Sequence, residues 1–480
     1  MPFAGVPWEV LIILLPLAGA MACFLWPRRA LPLALFTALT VSVGVAGLGW
    51  QVVTQGVKRH AVGGWGAPLG IDLYADGLSL LMLAVTAVVA LAVGVYARGY
   101  FKARAARAFW PLSLFLWAAL NALFLSADIF NLYVTLELLG LAAVALVALA
   151  GGAAALNGAM RYLLVGLLGS LAYLLGVALL YHGFGSLDLA ILGERVEASP
   201  VVWAAMGLMS AGLLLKTALF PLHFWLPAAH ASAPAPVSAL LSALVVKASF
   251  YILLRLWLTA FPPTDAVVAQ LLGVLGAGAV LWGGMQALRQ TRLKLLVAYS
   301  TVAQLGYLFL AFPLASVMGW GGAIYLLLSH AVAKTAMFMA AGNIRRFGGH
   351  DRIADLDRVA QRLPLTIAAF GLAGVSIMGL PPSGGFIAKW LLLEAAVRTN
   401  QWWWVVVLVA GGLLTAAWVF RVIGYAFTQA RVPHAPRAVP VGMEWAALAM
   451  AVTAIVLGLV APWPLALLAV GAPFAGGAGG

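Results

Sequence analysis

Cysteine is almost absent from this chain: among its 480 residues there is only Cys23. A single cysteine excludes an intrachain disulfide and leaves no partner for a thiolate metal site or an iron–sulfur cluster. Charged residues are also scarce, at 9% of the chain, with only 14 Asp and Glu. Because soluble domains contain about 25% charged residues, the sequence lacks both the polar surface of a soluble protein and the ligands of an electron carrier.

The chain is mostly apolar, with 64% hydrophobic residues. These residues form long runs, and about 20 apolar residues cross ~30 Å of hydrocarbon as a helix. The first run is followed by Pro27, Arg28 and Arg29 rather than by a small-residue cleavage site, which predicts a first span and not a signal peptide. The sequence therefore predicts an all-α polytopic membrane protein with about fourteen spans, at 8–26, 31–52, 76–97, 109–127, 129–150, 161–183, 201–220, 236–260, 267–288, 294–313, 319–341, 364–397, 402–428 and 442–468.

Lys and Arg are distributed unevenly between the connections. Odd-numbered connections carry seventeen of them and even-numbered connections carry four. Because basic connections remain in the cytoplasm, the odd connections are predicted to be cytoplasmic and both termini to face outward. This distribution explains the net charge of +13 without nucleic-acid binding. We therefore expect a multi-pass protein of the inner (cytoplasmic) cell membrane.

Several ionisable residues lie inside the predicted spans, where a charge costs ~2.5–3.5 kcal/mol and normally faces protein or water. Arg255, Arg421 and Glu394 lie near span ends, where long side chains can reach the surface. His330 precedes Lys334 by four residues, so both lie on one helix face. The deep functional candidates are Glu137, Lys216, Lys247, His330, Lys334 and Lys389.

Lysine suits a proton relay because burial disfavours its charged form and a nearby carboxylate restores it. A mobile proton, or a shift of Glu137 between partners, therefore changes the protonation of a buried lysine. Such a group is a switchable element rather than a static ion pair. The residues predict a hydrated polar path across the middle of the membrane.

Two predicted spans contain helix-breaking prolines near a lysine. Span 7 reads KTALFPLHFWLP at 216–227, and span 12 reads GLPPSGGFIAK at 379–389. Proline interrupts a helix, and broken backbone at membrane depth must be surrounded by protein or water. The two spans are five crossings apart and so run in opposite directions, which predicts two inverted five-span repeats. The predicted units are 1–108 (spans 1–3), 109–260 (spans 4–8), 261–430 (spans 9–13) and 431–480 (span 14 and the C-terminal tail).

Long motifs in this chain are similar to those of a known family. They are KTALFPLHFWLPAAH at 216–230, APAPVS at 233–238, YSTVAQLGY at 299–307, SHAVAK at 329–334 and GLPPSGGF at 379–386. Over about 70–430, the sequence resembles the antiporter-like membrane subunits of respiratory complex I and of Mrp-type cation/proton antiporters. The resemblance implies fourteen spans, inverted repeats and broken spans 7 and 12.

The resemblance also implies roles for individual residues. Glu137 and Lys216 correspond to the family's glutamate–lysine pair, and Lys247 corresponds to its central lysine on span 8. Lys389 occupies the span-12 position that is taken to gate the second half-channel. The implied proton relay is Glu137, Lys216, Lys247, His330, Lys334 and Lys389. The helix breaks and the loop after span 7 contain Pro221, His223, Pro227, His230, Pro381 and Pro382.

The Phe-Trp-Leu-Pro and Ala-Pro-Ala-Pro stretches favour the D-type subunit of Mrp or a hydrogenase-linked relative, and the N-type subunit of complex I is the alternative. The expected partners are other membrane subunits, including homologous antiporter-like ones. Protons are the expected cargo, and the sequence leaves open whether Na⁺ or K⁺ also moves. A stand-alone secondary transporter and a purely structural anchoring subunit are the competing classes. With no phosphate loop or nucleophile motif in the sequence, we predict no catalytic site and no cofactor.

Overall fold

The computed structural model describes residues 5–262, 266–430 and 436–474. Within these ranges, thirteen helices are long and apolar enough to cross a membrane. Most of their ends lie within a few residues of the predicted boundaries. In chain order they are spans 1–11, 13 and 14: Trp8–Leu25, Pro27–Gln55, Gly77–Tyr100, Ala103–Leu125, Ile129–Ala148, Gly152–Phe184, Pro200–Thr217, Ala235–Ala260, Ala266–Arg289, Leu293–Leu314, Val317–Gly348, Trp402–Ala426 and Val441–Leu459.

Span 12 is broken into two short helices, Pro364–Met378 and Gly384–Arg398. The first helix ends at Gly379, whose φ is 86°, a conformation that glycine adopts without steric cost. The hydroxyl of Ser383 begins the second helix by accepting a backbone hydrogen bond, which satisfies an amide that a helix start leaves unpaired. Counted as one interrupted crossing, the pair completes the fourteen predicted spans.

Span 7 is broken in the same manner. Its first helix, Pro200–Thr217, ends at Ala218, which has a φ of 58°. A second helix, Leu226–Ser232, follows after a turn. The indole N–H of Trp225 donates to the carbonyl oxygen of Leu215 at 3.0 Å and so satisfies an acceptor that the break releases.

The predicted break prolines lie in or beside these turns. Pro221 is exposed in the turn of span 7, and Pro227 lies in the first turn of the helix that follows. Pro381 and Pro382 lie between the two halves of span 12. In each position the missing amide costs no helical hydrogen bond, because the helix has ended or is only beginning.

A small β-hairpin between spans 2 and 3 is the one departure from the predicted all-α class within the described residues. Strand β1, Lys58–Ala61, pairs antiparallel with β2, Asp72–Ala75. The guanidinium of Arg59 contacts carboxylate oxygens of Asp72 and Asp188 at 2.5 Å each. Burial opposes the charge of Arg59, but hydrogen bonds and attraction from the two carboxylates outweigh it and raise the pKa of Arg59. The hairpin is therefore tied to the connection between spans 6 and 7.

In two places, backbone hydrogen bonds join one connection between spans to another. We call each of these bridges a backbone clasp. In the first, Asp128 before span 5 bridges Asp188 after span 6, and in the second, Arg292 before span 10 bridges Arg352 after span 11. The clasps are five crossings apart, so they lie on opposite faces of the membrane. We therefore propose that 109–260 and 261–430 are the two inverted repeats. The clasp hydrogen bonds run from the amides of Ile129, Leu189, Leu293 and Ile353 to the carbonyl oxygens of Leu187, Ala127, Asp351 and Thr291, at 2.8, 2.8, 2.7 and 2.9 Å.

The exterior of the helix bundle is apolar and its centre carries polar groups. Large side chains such as Phe24 and Leu413 are 76% and 67% exposed. In spans 8 and 11, the most apolar stretch of 18 residues is completely buried. An apolar surface of this kind is suited to lipid, and polar groups in such a protein must find partners inside. Spans 8 and 11 therefore contain the positions that are farthest from lipid.

Arg255, which the sequence suggested would reach the surface, is instead buried in an ion pair. Its Nη1 and Nη2 contact Asp76 Oδ2 and Oδ1, each at 2.6 Å, and its Nε donates to the hydroxyl of Tyr251 at 3.0 Å. Asp76 is 0% exposed and Arg255 is 5% exposed. The expectation was wrong because the partner lies 179 residues earlier, at the start of span 3.

The other two residues near span ends do lie toward the surface. Arg421 is half-buried and donates to the carbonyl oxygens of Leu288 and Gln290 at the end of span 9. Glu394 pairs with Arg398 at 2.7 Å, and the Arg398 side chain is 65% exposed. Neither belongs to the buried polar centre described next.

Candidate proton-relay site

Glu137 on span 5 and Lys216 on span 7 form an ion pair. Lys216 Nζ lies 2.8 Å from Glu137 Oε1, and their side chains are 8% and 21% exposed. The hydroxyl of Ser170 on span 6 donates to the same carboxylate. Beside the pair is a recess with about 30 Å³ of space for water, which is room for roughly one or two molecules. The structure thus brings the two predicted residues together in the last turn before the break of span 7.

Hydroxyl groups lie between this pair and the bundle centre. Thr217, the residue after Lys216, donates through its hydroxyl to Ser249 on span 8 at 2.9 Å. Farther along span 8, the hydroxyls of Ser242 and Thr301 share a hydrogen bond of 2.9 Å. Hydroxyls both donate and accept, so they continue a polar path between spans 7, 8 and 10.

Lys247 lies at the centre of span 8 and is 0% exposed. It follows a π-helical turn, Leu241–Val245, a local widening that is frequent at functional sites. Its ammonium donates to the carbonyl oxygens of Ser242 and Ala243 at 2.8 and 2.7 Å. The sequence predicted Lys247 but not the widened turn, which supplies the acceptors.

Lys334 and His330 on span 11 lie beside it. The Lys334 ammonium donates to the carbonyl oxygen of Val297 at 3.0 Å and to the hydroxyl of Ser300, both on span 10. His330 is 2% exposed and interacts electrostatically with Lys247, Lys334 and Lys389. Within the described part of the chain, His330 Nε2 has no hydrogen-bond partner. The imidazole therefore lies among three lysines with one nitrogen uncommitted.

Lys389 lies just after the break of span 12. Its ammonium donates to the carbonyl oxygens of Ile377 and Met378 at 2.8 and 3.1 Å, which are carbonyls that the broken helix leaves unpaired. It also lies 4.5 Å from the ring centre of Tyr307, a cation–π contact. A lateral recess of about 270 Å³ opens beside it between spans 12 and 13.

The ammonium groups of the central lysines all donate hydrogen bonds to uncharged oxygens. In the described ranges, Lys247, Lys334 and Lys389 have no carboxylate within ion-pair distance, and only Lys216 has one. A lysine held by carbonyls alone can lose its proton without stranding a buried carboxylate. The arrangement therefore combines one ion pair at one end with three exchangeable ammonium groups.

The two histidines after span 7 have different surroundings. His230 is buried, stacks on Phe338 at 4.9 Å, and interacts electrostatically with Lys334. His223 is only half-buried and packs against Phe220 at 5.7 Å. The structure thus brings His230 to the lysine cluster and leaves His223 in the turn.

Lys294 is a buried lysine at the first position of predicted span 10 that is not among the site residues predicted from the sequence. It is the second residue of span 10, is 4% exposed, and donates to the carbonyl oxygen of Ala233. It interacts electrostatically with His230. The buried backbone carbonyl that receives its ammonium carries no sequence signal.

The sequence of this chain is similar to those of known membrane-protein subunits. A family model described as "NADH:quinone oxidoreductase/Mrp antiporter, TM" matches residues 126–415. The N-type subunit of NADH-quinone oxidoreductase from Desulforudis audaxviator is 38% identical over 431 residues, covering 87% of this chain and 86% of that protein. The D-type subunit of the Na(+)/H(+) antiporter from Bacillus subtilis is 28% identical over 467 residues, covering 95% and 94%.

A solved structure shows the same fold over nearly the whole length. It is a chain of the membrane-bound sulfane sulfur reductase, described as an archaeal respiratory membrane complex. The TM-score is 0.90 at 27% identity, and 97% of each chain is covered. The arrangement of helices described above is therefore that of a subunit found in a multisubunit membrane complex.

Proposed function

Because the chain belongs to the NADH:quinone oxidoreductase/Mrp antiporter transmembrane family, we propose that it relays protons across the membrane as one subunit of a multisubunit complex. The observation that carries this proposal is the set of lysines on spans 8, 11 and 12 that only neutral oxygens bind. Of the lysines on spans 7, 8, 11 and 12, only Lys216 has a carboxylate partner. Buried charges of this kind are costly in a membrane interior and are functional candidates for that reason. The proposed partners are other membrane subunits, including homologous ones.

In the proposed mechanism, the state of the Glu137–Lys216 pair controls the central cluster. When Glu137 forms its ion pair with Lys216, as in the 2.8 Å contact, the positive charge of the Lys216 ammonium is held at span 7. When a neighbouring subunit pulls Glu137 away, Lys216 loses its counter-charge and releases a proton toward Lys247 through the hydroxyl bridge of Thr217 and Ser249.

The second half of the proposed path runs from Lys247 to Lys389. His330 interacts with both of these lysines, and its free Nε2 can accept a proton that it later donates. Lys389, at the break of span 12, is the last residue of the proposed path. Electrostatic repulsion between ammonium groups drives each proton onward, because a second charge in the cluster disfavours the first.

We expect Glu137→Gln to slow proton movement by at least about fivefold, the lower end of typical coupling between sites. Glutamine keeps the shape and can still accept from Ser170, but it cannot hold Lys216 as an ion pair. The measurement is the rate of pH change, read with a pH-sensitive dye, in inverted vesicles that carry the whole complex.

The matched control is Glu394→Gln, which removes a carboxylate from the exposed pair with Arg398. Vesicles with this variant should transport at the wild-type rate. Wild-type transport by Glu137→Gln, at equal amounts of assembled complex, would show that the ion pair does not control the relay.

As its complex we propose an Mrp-type cation/proton antiporter, in which the chain is the D-type subunit. Its similarity to a D-type antiporter subunit over nearly its whole length supports this assignment. Complex I, with the chain as its N-type subunit, is the second candidate, and the higher identity to an N-type subunit favours it. The subunits that co-purify with a tagged chain distinguish the two, because only the second complex brings a quinone-reducing arm.

We also propose that both ends of the chain lie on the outer side of the membrane, as the distribution of Lys and Arg predicts. A reporter that is active only outside, fused after Gly480, should be active, and the same reporter placed after Arg29 should be silent. A silent reporter at Gly480 together with an active one at Arg29 would reverse the orientation.

A further inference from the structure

A cavity of about 430 Å³ lies at the ends of the helices, on the side of the odd-numbered connections. Its basic wall is formed by Arg345 and Arg346 at the end of span 11 and by Arg437 before span 14. Tyr100, the last residue of span 3, and Ala233 line the opposite part. Since all these positions are at helix ends or in connections, the cavity lies at the boundary of the hydrocarbon layer. We call it the basic cavity.

The charges of the basic cavity are not neutralised by the chain itself. In the neighbouring connections on the same side, arginines pair with aspartates, and the pairs are Arg292–Asp351, Arg352–Asp355 and Arg362–Asp357. No residue that lines the cavity within the described ranges is a carboxylate, and none of its three arginines is in a salt bridge there. The cavity therefore holds uncompensated positive charge where its surroundings are balanced.

The three arginines differ in what they can offer a ligand. Arg346 is fixed by the fold, because its Nη1 donates to the carbonyl oxygen of Gly99 at 2.6 Å and its Nε donates to that of Ala438 at 3.3 Å. Arg345 and Arg437 are exposed, and their guanidinium groups are free of such backbone bonds in the described structure. A planar guanidinium binds phosphate through two parallel hydrogen bonds. The guanidinium groups of Arg345 and Arg437 are therefore both available to bind a phosphate in this cavity.

We propose that the basic cavity binds the phosphate headgroup of an anionic phospholipid. Basic pockets between membrane helices at the interface suit such headgroups. The aromatic side chains of Tyr100 and Phe101 at its edge are of the kind that lies at headgroup level. The volume of about 430 Å³ accommodates a headgroup, while the acyl chains extend along the apolar exterior of the bundle. This site is independent of the proposed proton relay.

The headgroup would lie close to the end of the polar centre. Ala233 lines the cavity, and its carbonyl oxygen accepts the hydrogen bond of Lys294. A phosphate in the cavity therefore brings a negative charge near the buried lysine that lies closest to this face. Free inorganic phosphate offers the same anionic oxygens, so the test separates the two sources.

The test is a titration of the full chain, purified in a neutral detergent, with dioctanoylphosphatidylglycerol, dioctanoylphosphatidylcholine and inorganic phosphate. Native mass spectrometry reports the bound fraction. We expect the anionic lipid to bind, and R345Q/R437Q to bind it roughly 25-fold more weakly, because each arginine near the ligand contributes about fivefold. The single variant R437Q should lose about fivefold. The matched control, R28Q/R29Q, removes two exposed arginines from the first connection and should bind as the wild type does.

Three results would overturn the proposal. The first is an unchanged affinity of R345Q/R437Q for the anionic lipid, at an unfolding temperature equal to that of the wild type. The second is equal binding of phosphatidylcholine and phosphatidylglycerol, which would mean that net charge is not recognised. The third is binding of inorganic phosphate as tight as that of the lipid, which would identify a free-anion site.

Discussion

Replacing Lys247 with alanine is expected to slow proton movement roughly 100-fold, the lower end of what a positioned proton-transfer group contributes. Lys247 is 0% exposed, and its ammonium is held by the carbonyl oxygens of Ser242 and Ala243. In the proposed path, this lysine on span 8 comes between the pair at span 7 and His330, and alanine leaves no titratable group at this point. The measurement is the rate of pH change in inverted vesicles that carry the whole complex.

Two further variants separate proton transfer from a structural role. Lys247→Arg keeps the charge but cannot release its proton, so we expect it to be as inactive as alanine. Lys102→Ala removes an exposed lysine between spans 3 and 4 and should leave the rate unchanged. Wild-type transport by Lys247→Ala would remove this residue from the path. If Lys247→Arg transported at the wild-type rate and Lys247→Ala did not, Lys247 would act as a fixed charge.

Neutralising Asp76 is expected to cost about 3–5 kcal/mol in the free energy of unfolding, because it strands a buried guanidinium. Asp76 is 0% exposed and holds Arg255 through two contacts of 2.6 Å. Asp76→Asn keeps a residue that can still cap span 3 through Ser79, so the loss reports the ion pair alone. Chemical unfolding of the chain in detergent, followed by circular dichroism, measures it.

The contribution of this ion pair depends on pH in a defined direction. Burial opposes ionisation of Asp76, but the Arg255 guanidinium and hydrogen bonds from Ser79 outweigh it and hold the pKa of this carboxyl below its usual value. A lowered pKa means that the stabilisation is complete above the unfolded-state pKa of Asp and is lost as the pH falls through the folded-state value. The difference between wild type and Asp76→Asn should therefore shrink in acid.

The exposed pair of Glu394 and Arg398 provides the reference for this experiment. The Arg398 side chain is 65% exposed and the Glu394 side chain is 30% exposed, and ion pairs of this kind contribute at most about 1 kcal/mol. Glu394→Gln should therefore unfold nearly as the wild type does. Equal stabilities for Asp76→Asn and the wild type at neutral pH would contradict the buried-pair argument.

The fold could be predicted well from the sequence because its main signals are local. A run of about 20 apolar residues specifies a membrane helix wherever it occurs, and Pro381 and Pro382 specify a break without reference to the rest of the chain. The charge asymmetry of the connections predicts the orientation of the spans in the same local way, and this orientation stays a prediction. The fourteen crossings follow from these signals, and the structure agrees with them.

What the sequence did not reveal depends on contacts between distant residues. The partner of Arg255 is 179 positions away, so a charge near a span end looked like one that reaches the surface. Strands β1 and β2 are four residues each, too short for an alternating pattern to stand out. The π-helical turn before Lys247 leaves no signal in a uniformly apolar run. Apart from the pair of Glu137 and Lys216, which the family resemblance implied, the sequence indicated the polar residues of the site but not their hydrogen-bond acceptors.

The two backbone clasps give the bundle a property that neither clasp has alone. Each clasp lies on the face from which a broken span starts, at Pro200 for span 7 and at Pro364 for span 12. The first clasp joins connections of spans 4–7 at one surface, and the second joins connections of spans 9–12 at the opposite surface. Each membrane surface therefore has one pair of connections that is joined by backbone hydrogen bonds next to the start of a broken span.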